Sequence, residues 1–193
     1  PFPKIVQFAQ SIIGREIREQ SMEQEGRLPD MICGCVGGGS NFIGSIHEFL
    51  DEPNIKKIGV EAAETAALSN GTPGIMQGMK TYMLQSEDGS KSLGGKSLGA
   101  GIQYFSVGPQ HSYLKDQGAV TYTSATDKEI LNAYKVVAQT EGISSALEPM
   151  AAAAEVLKQA KGKPKDFIIV LSLCGRGEKD LDTIEDHMGK DFE

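Results

Sequence analysis
Apolar residues stand at positions 5, 6, 8, 12, 13 and 17 of the N-terminal stretch, with Glu, Gln and Arg between them. That spacing predicts one amphipathic helix over residues 5–24 with a buried face, weakened a little by Gly14. The period then shortens. Residues 31–36 are a compact apolar run, followed by Gly37, Gly38, Gly39, Ser40 and Asn41, and then by an apolar-rich segment over 42–50. This reads as strand, tight glycine turn and helix. A second short strand over 57–61 completes a βαβ unit, whose natural home is a parallel sheet. Residues 63–101 are less regular: 69–74 reads as a loop, 81–84 as extended, and the serine- and glycine-rich stretch 86–101 as a segment that borders a site. A short helix near 111–117, a strand over 119–123 and a helix over 129–139 with Asp127 as N-cap come next. Another helix begins at Ser144 or Ser145 and runs to about Ala160, with Ala151, Ala152, Ala153 and Ala154 allowing close packing. The continuous apolar run 167–171 has the mark of a central parallel strand. It ends in a second glycine-bearing turn, Gly175 to Gly177. The expectation is one three-layer α/β/α domain over 1–193 with a mainly parallel sheet.

Two glycine turns would thus follow two buried strands, and ligands of open α/β sheets bind outside the carboxyl ends of strands. A helix start offers free backbone N–H groups and the positive end of a dipole, both suited to an anion. Glycines let the backbone approach a ligand closely, and Ser40 and Asn41 are good N-caps that can also hydrogen-bond a phosphate oxygen. A glycine turn capped by Ser or Asn for structural reasons alone looks the same. The stretch is not a P-loop, since no GK[ST] ending is present, and its spacing does not fit G-x-G-x-x-G.

Composition narrows the classes. A net charge of −7 argues against a nucleic-acid role, which usually needs a basic face, but not against an anion held locally by backbone dipoles. No apolar run of about 18 residues and no signal-peptide pattern is present, so the expectation is a cytoplasmic protein with no membrane span. The chain opens on PFPK rather than Met, as a processed protein or a piece of something longer would. Cys33, Cys35 and Cys174 are odd in number and form no C-x-x-C or Cys/His cluster. They read as reduced, buried thiols, with Cys33 and Cys35 on one face of a strand.

The remaining candidates have plain readings. His47, His111 and His187 are far apart, and without a G-x-S-x-G elbow nothing points to Ser-His-Asp catalysis. His111 in PQHSYL reads as a satisfied histidine at a helix start. Glu61, after a strand, reads as a packing-edge carboxylate, with a ribose contact as the functional alternative. Lys179 and Asp180 read as a solvated pair.

The segments CVGGGSNFIG, GVEAAE, GTPGIMQGMKTYMLQSEDG, SVGPQHSYLKDQG, TEGISSALE and CGRGEKDLDTI occur here in one order. Together they resemble the C-terminal half of the tryptophan synthase β subunit family, and the resemblance covers essentially the whole chain. It implies fold type II of the pyridoxal 5′-phosphate enzymes and a β-replacement in which serine loses its hydroxyl and indole adds to give tryptophan. It carries the phosphate cradle to Gly37, Gly38, Gly39, Ser40 and Asn41, a catalytic glutamate to Glu141, and the partner of the pyridine nitrogen to Cys174. It also implies a monovalent-cation site built from backbone carbonyls of Gly37, Tyr104 and Ser106. The implied partners are an N-terminal half, the α subunit of tryptophan synthase and a further copy in a homo-oligomer.

The departures bear on function. The family's cofactor-bonding lysine lies in the N-terminal half, which this chain does not contain. Cys174 replaces a serine, Gln103 an aspartate in a segment that closes over substrate, and Gln77 a histidine. Pro149 to Ala152 read PMAA where the family has SSHA. The expectation is that this piece alone is inactive. The alternatives are a diverged, non-catalytic domain that binds pyridoxal phosphate or another phospho-ligand, and an assembly fragment whose open face awaits its other half.

Overall fold
The computed structural model describes residues 1–189. Its first surprise is a break at Ser11. Instead of one N-terminal helix there are two, α1 (Phe2–Gln10) and α2 (Ile12–Glu25). The Ser11 hydroxyl donates to the Phe8 carbonyl at 2.9 Å, a local bond that competes with helix continuation. No residue of α1 is buried, and Phe2, Ile5 and Phe8 stay exposed. Gly14 marks a crossing rather than a weakness: a Cβ there would stand 2.7 Å from the Gly44 carbonyl of the helix packed against it.

Strand β1 (Met31–Cys35) is buried throughout, and α3 (Ser40–Ile46) follows the glycine turn, ending in a 3-10 turn over His47–Phe49. Then come β2 (Lys56–Ala62) and a short helix, α4 (Ala67–Asn70). The stretch expected as a loop over 69–74 contributes instead to an antiparallel hairpin, β3 (Thr72–Met76) and β4 (Met79–Met83). Pro73 is tolerated because a two-stranded ribbon has only edge strands. The hairpin turns through Gln77 at φ 48° and Gly78 at φ 80°, the two left-handed residues of a tight hairpin turn. Helix α5 (Pro109–Asp116), β5 (Thr121–Ala125), α6 (Asp127–Glu141), α7 (Leu147–Gln159), β6 (Ile169–Leu171) and α8 (Leu181–Met188) complete the described residues. The N-cap of α6 is Thr126, not Asp127. Thr126 and Glu129 make a reciprocal capping box, while Asp127 accepts from Ser97 Oγ and Leu98 N–H.

The main sheet has the order β5-β2-β1-β6 with every pair parallel. The run expected as a central strand, β6, is therefore an edge of three half-buried residues. Helix α3 and its neighbours cover one face through Ile32, Phe42, Ile43 and Ile46. Helices α6 and α7 cover the other through Cys33, Cys35, Val60, Leu147 and the alanines 151–154. The three-layer α/β/α fold with a parallel sheet is thus as expected.

The chain leaves β1 toward β2 on one side and, later, returns to β6 on the other. The carboxyl ends of β1 and β6 are therefore a topological switch point, where open α/β sheets bind ligands.

Candidate functional site
At that switch point a cavity of about 430 Å³ opens. Gly37, Gly38, Gly39, Ser40 and Asn41 line one side, and Cys174 and Gly175 of the turn after β6 line another. The five-residue turn is built for access. Gly38 is exposed and a Cβ on it would meet nothing within 4 Å, whereas a side chain at Gly37 would collide with the Gly101 carbonyl. Among the described residues, no acceptor is found for the N–H groups of residues 37–41. Two of their carbonyls, by contrast, take donors from other segments: Gly38 O accepts from Gly108 N–H at 3.0 Å, and Gly39 O accepts from Ile43 N–H at 3.0 Å. The N-cap of α3 is Gly39 at φ 92°, so Ser40 and Asn41 are the first helical residues rather than caps. Ser40 is exposed, and Asn41 Oδ1 accepts from Ser172 Oγ at 3.1 Å, which fixes the amide beside the cavity.

The carboxylate facing this cup is one that sequence reasoning missed. Glu148, in the first turn of α7, lines the cavity and is 7% exposed. Its Oε1 accepts from Gly101 N–H at 2.6 Å and from Lys179 Nζ at 2.8 Å. Its Oε2 is buried with no partner among the described residues. Burial opposes its ionisation, but the Lys179 ammonium and the Gly101 amide outweigh that and hold its pKa below the usual value. Glu141, the expected catalytic residue, is exposed at the end of α6 and is not among the residues lining the cavity.

Lys179 and Asp180 are not a solvated pair. Asp180 is 5% exposed, accepts from Lys179 Nζ at 2.7 Å and from Leu147 N–H at 2.9 Å, and so ties the turn after β6 to the start of α7. Burial lowers the Lys179 pKa, but Asp180 and Glu148 together raise it above the ordinary lysine value. Glu61 is not a packing-edge group either. It is 2% exposed and accepts from Leu68 N–H, Ser69 N–H and Ser69 Oγ at 2.8–2.9 Å, capping α4.

Cys174 lines the cavity with its sulfur 3.6 Å from that of Cys35. Either sulfur can donate in this contact; the contact and burial raise the Cys35 pKa, and the contact lowers that of Cys174. Tyr104 lines the same cavity, as does Gly37. Ser106 does not; it is buried with its Oγ 2.6 Å from the Met76 sulfur. The serine- and glycine-rich stretch does border the site, through Gly101. Gln103 is exposed and its side-chain amide donates to the Ser97 carbonyl. His111 is a satisfied histidine, 1% exposed, donating from Nε2 to the Gly39 carbonyl and accepting from the Tyr122 hydroxyl at Nδ1. A larger cavity of about 630 Å³ lies on the far side of Gly38 and Gly39, walled mainly by Phe2, Val6, Ile43 and Met79, with both His111 nitrogens already used.

The profile of a family described as pyridoxal-phosphate dependent enzyme matches residues 3–175. The chain belongs to that family. Within it, the chain is 48% identical over 197 residues to the tryptophan synthase beta chain of Allorhizobium ampelinum, covering 98% of this chain and 48% of that one. It is 46% identical over 202 residues to the tryptophan synthase beta chain of Cereibacter sphaeroides, covering all of this chain and 49% of that one. The chain therefore spans about half the length of the curated relatives it matches. An O-ureido-L-serine synthase structure superposes with TM-score 0.63 at 17% identity, over 92% of this chain and 49% of that one. A threonine deaminase structure superposes with TM-score 0.61 at 17% identity, over 86% and 57%. These two show the fold, which is fold type II of the pyridoxal-phosphate enzymes. The donor set fits the family's cofactor: a run of amides with no acceptor among the described residues suits a phosphate dianion, and Glu148 and Cys174 put polar groups on the rest of the cavity wall.

Proposed function
We propose that this chain is the cofactor-phosphate-binding part of a tryptophan synthase β chain, acting in the replacement of the serine hydroxyl by indole. The observation that carries this reading is the cup itself. Five consecutive residues whose N–H groups find no acceptor among the described residues close one wall of a cavity that the buried Glu148 also lines. The 46–48% identity to two tryptophan synthase beta chains supports this reaction within the family.

Bound there, pyridoxal phosphate supplies an electron sink for the amino acid. The chain's own residues hold and orient. The amides of residues 37–41 would hold the phosphate, with Gly38 leaving room for close approach. Cys174, on the cavity wall, would be the polar group offered to the pyridine ring. Glu148, kept ionised by Lys179 and Gly101, would be the carboxylate at the cavity that takes up or returns a proton. Lys179 is the lysine among the cavity's lining residues, and its ion pairs and raised pKa are the reverse of what a covalent nucleophile needs. The cofactor-bonding lysine accordingly comes from an N-terminal half, and this portion alone is inactive. The same reading includes the α subunit as partner, a homo-oligomer, and a monovalent cation held by carbonyls of Gly37, Tyr104 and Ser106.

Titration of this chain with pyridoxal phosphate tests the proposal. Binding should be saturable, competed by inorganic phosphate and much weaker for pyridoxal without its phosphate. Borohydride should leave no pyridoxyl group at a unique lysine. Equal affinity for pyridoxal would overturn the cup, and a single stoichiometric lysine adduct would overturn the division of labour between halves.

A further inference from the structure
We propose that Cys35 and Cys174 form a reversible dithiol–disulfide couple in the floor of the cup's cavity. Cys35 ends β1, and Cys174 lies in the turn that follows β6, 139 residues later. The two strands are paired through Cys33 and Leu171, and the Ser172 N–H still donates to the Cys33 carbonyl at 2.9 Å just before this level. Extended by two residues, that register sets Cys174 one position past the one opposite Cys35, so a strand spacing of about 4.8 Å and a rise of about 3.3 Å combine to about 6 Å, within the Cα separation of about 4.4–6.8 Å that a disulfide spans. The sulfurs are 3.6 Å apart and have to close to about 2.05 Å. The adjustment falls on the turn side, where Gly175 is exposed and takes φ 75°, rather than on the strand, where Cys35 is buried.

Access is the second condition. Both cysteines line a cavity open to solvent, and Cys174 is the more exposed of the two. Cys33 is the internal contrast. It shares a face with Cys35, but it is wholly buried and its S–H donates to the Ala152 carbonyl of α7 at 3.6 Å. The oxidant is a small disulfide such as oxidised glutathione. The Cys174 thiolate attacks one of its sulfurs, forming a mixed disulfide and releasing one glutathione thiolate. The Cys35 sulfur then attacks Cys174, loses its proton to solvent and expels the second glutathione thiolate. Two protein thiols are oxidised, and one glutathione disulfide is reduced to two thiols. Closure takes the Cys174 sulfur away as a hydrogen-bonding group at the cavity wall. The couple stands on the sulfur geometry and not on what the cavity holds.

The natural polypeptide carrying this chain should be equilibrated in glutathione buffers from reducing to oxidising, acid-quenched, alkylated and mapped by mass spectrometry. The expected result is a cross-linked Cys35–Cys174 peptide pair that rises along the series and is reversed by dithiothreitol, with Cys33 recovered as a thiol throughout. Recovery of Cys174 only as its glutathione adduct, with Cys35 free, would overturn the couple, as would free thiols across the whole series. Cys174→Ser should leave Cys35 alkylatable at every potential. Protection of Cys35 in that variant would mean a different partner and would also overturn the proposal.

Discussion
The His111 imidazole donates from Nε2 to the carbonyl of Gly39 at 2.7 Å, and its ring occupies the space a side chain at Gly39 would need. Gly39 sits at φ 92°, a backbone state that L-residues avoid. Conformation and space thus both require glycine at the last position of the cup before α3. Gly39→Ala should destabilise the fold by about 3 kcal/mol, through backbone strain plus displacement of a buried ring. It should also abolish pyridoxal phosphate binding. Urea unfolding and a cofactor titration check the two effects separately, and a variant of wild-type stability would refute the account.

His111 also sets a pH dependence. Burial pushes its pKa from 6.5 down to about 4, so the native ring stays neutral where an unfolded one is already charged. Below pH 6.5 the unfolded state binds the extra proton, and native stability falls as pH drops toward about 4. The full interval corresponds to about 3 kcal/mol. Neither ring neighbour carries a compensating charge: Phe42 stacks on it, and Tyr122 donates to Nδ1 while burial raises its own pKa. Unfolding measured at pH 7, 5.5 and 4.5 should show this loss, and His111→Gln should flatten it. An identical slope in the variant would assign the loss elsewhere.

The two glutamates make a direct comparison. Glu148→Gln removes the ion pair to Lys179 and the carboxylate charge at the cavity, while Glu141→Gln alters an exposed helix end. In the complete enzyme, Glu148→Gln should lower kcat for β-replacement by about 100-fold or more, with cofactor retained. Glu141→Gln should leave kcat and stability near wild type. The reverse ranking would restore Glu141 to the catalytic role the resemblance gave it.

Those two residues also show where the sequence stops being readable. The cup was legible because strand, glycine run and helix are contiguous, and each has its own period. Glu148 was not, because its partners Gly101 and Lys179 lie 47 and 31 residues away and nothing local distinguishes it from Glu141. The Cys35–Cys174 contact and the burial of Glu61 and Asp180 are hidden for the same reason. The position of β6 failed differently. An apolar run is equally consistent with a central strand and with an edge strand sheltered by helices, and only the pairing with β1 alone decides it. At residues 69–74, turn-forming residues sat in a ribbon that has no central strand to exclude proline.

Beneath the cup, Phe42 is packed so closely on the sheet that two strand positions must be glycine. A Cβ at Gly34 would lie 2.7 Å from Phe42 Cδ2, and one at Gly59 would lie 2.9 Å from Phe42 Cε1 and 2.8 Å from the Tyr122 ring. Gly34 and Gly59 face each other across the β1–β2 pair, so they form a single depression under α3. Tyr122 in turn holds His111, whose ring stacks on Phe42 at 5.9 Å and bonds Gly39. Gly59→Ala should therefore cost about 1–3 kcal/mol by overpacking and weaken phosphate binding at the cup, although Gly59 does not line the cavity. Phe42→Leu should partly relieve the clash, so the double variant should be more stable than the sum of the singles by about 1 kcal/mol. Strict additivity in that cycle would mean that the glycine depression does not position α3, and that the cup is held by the His111–Gly39 bond alone.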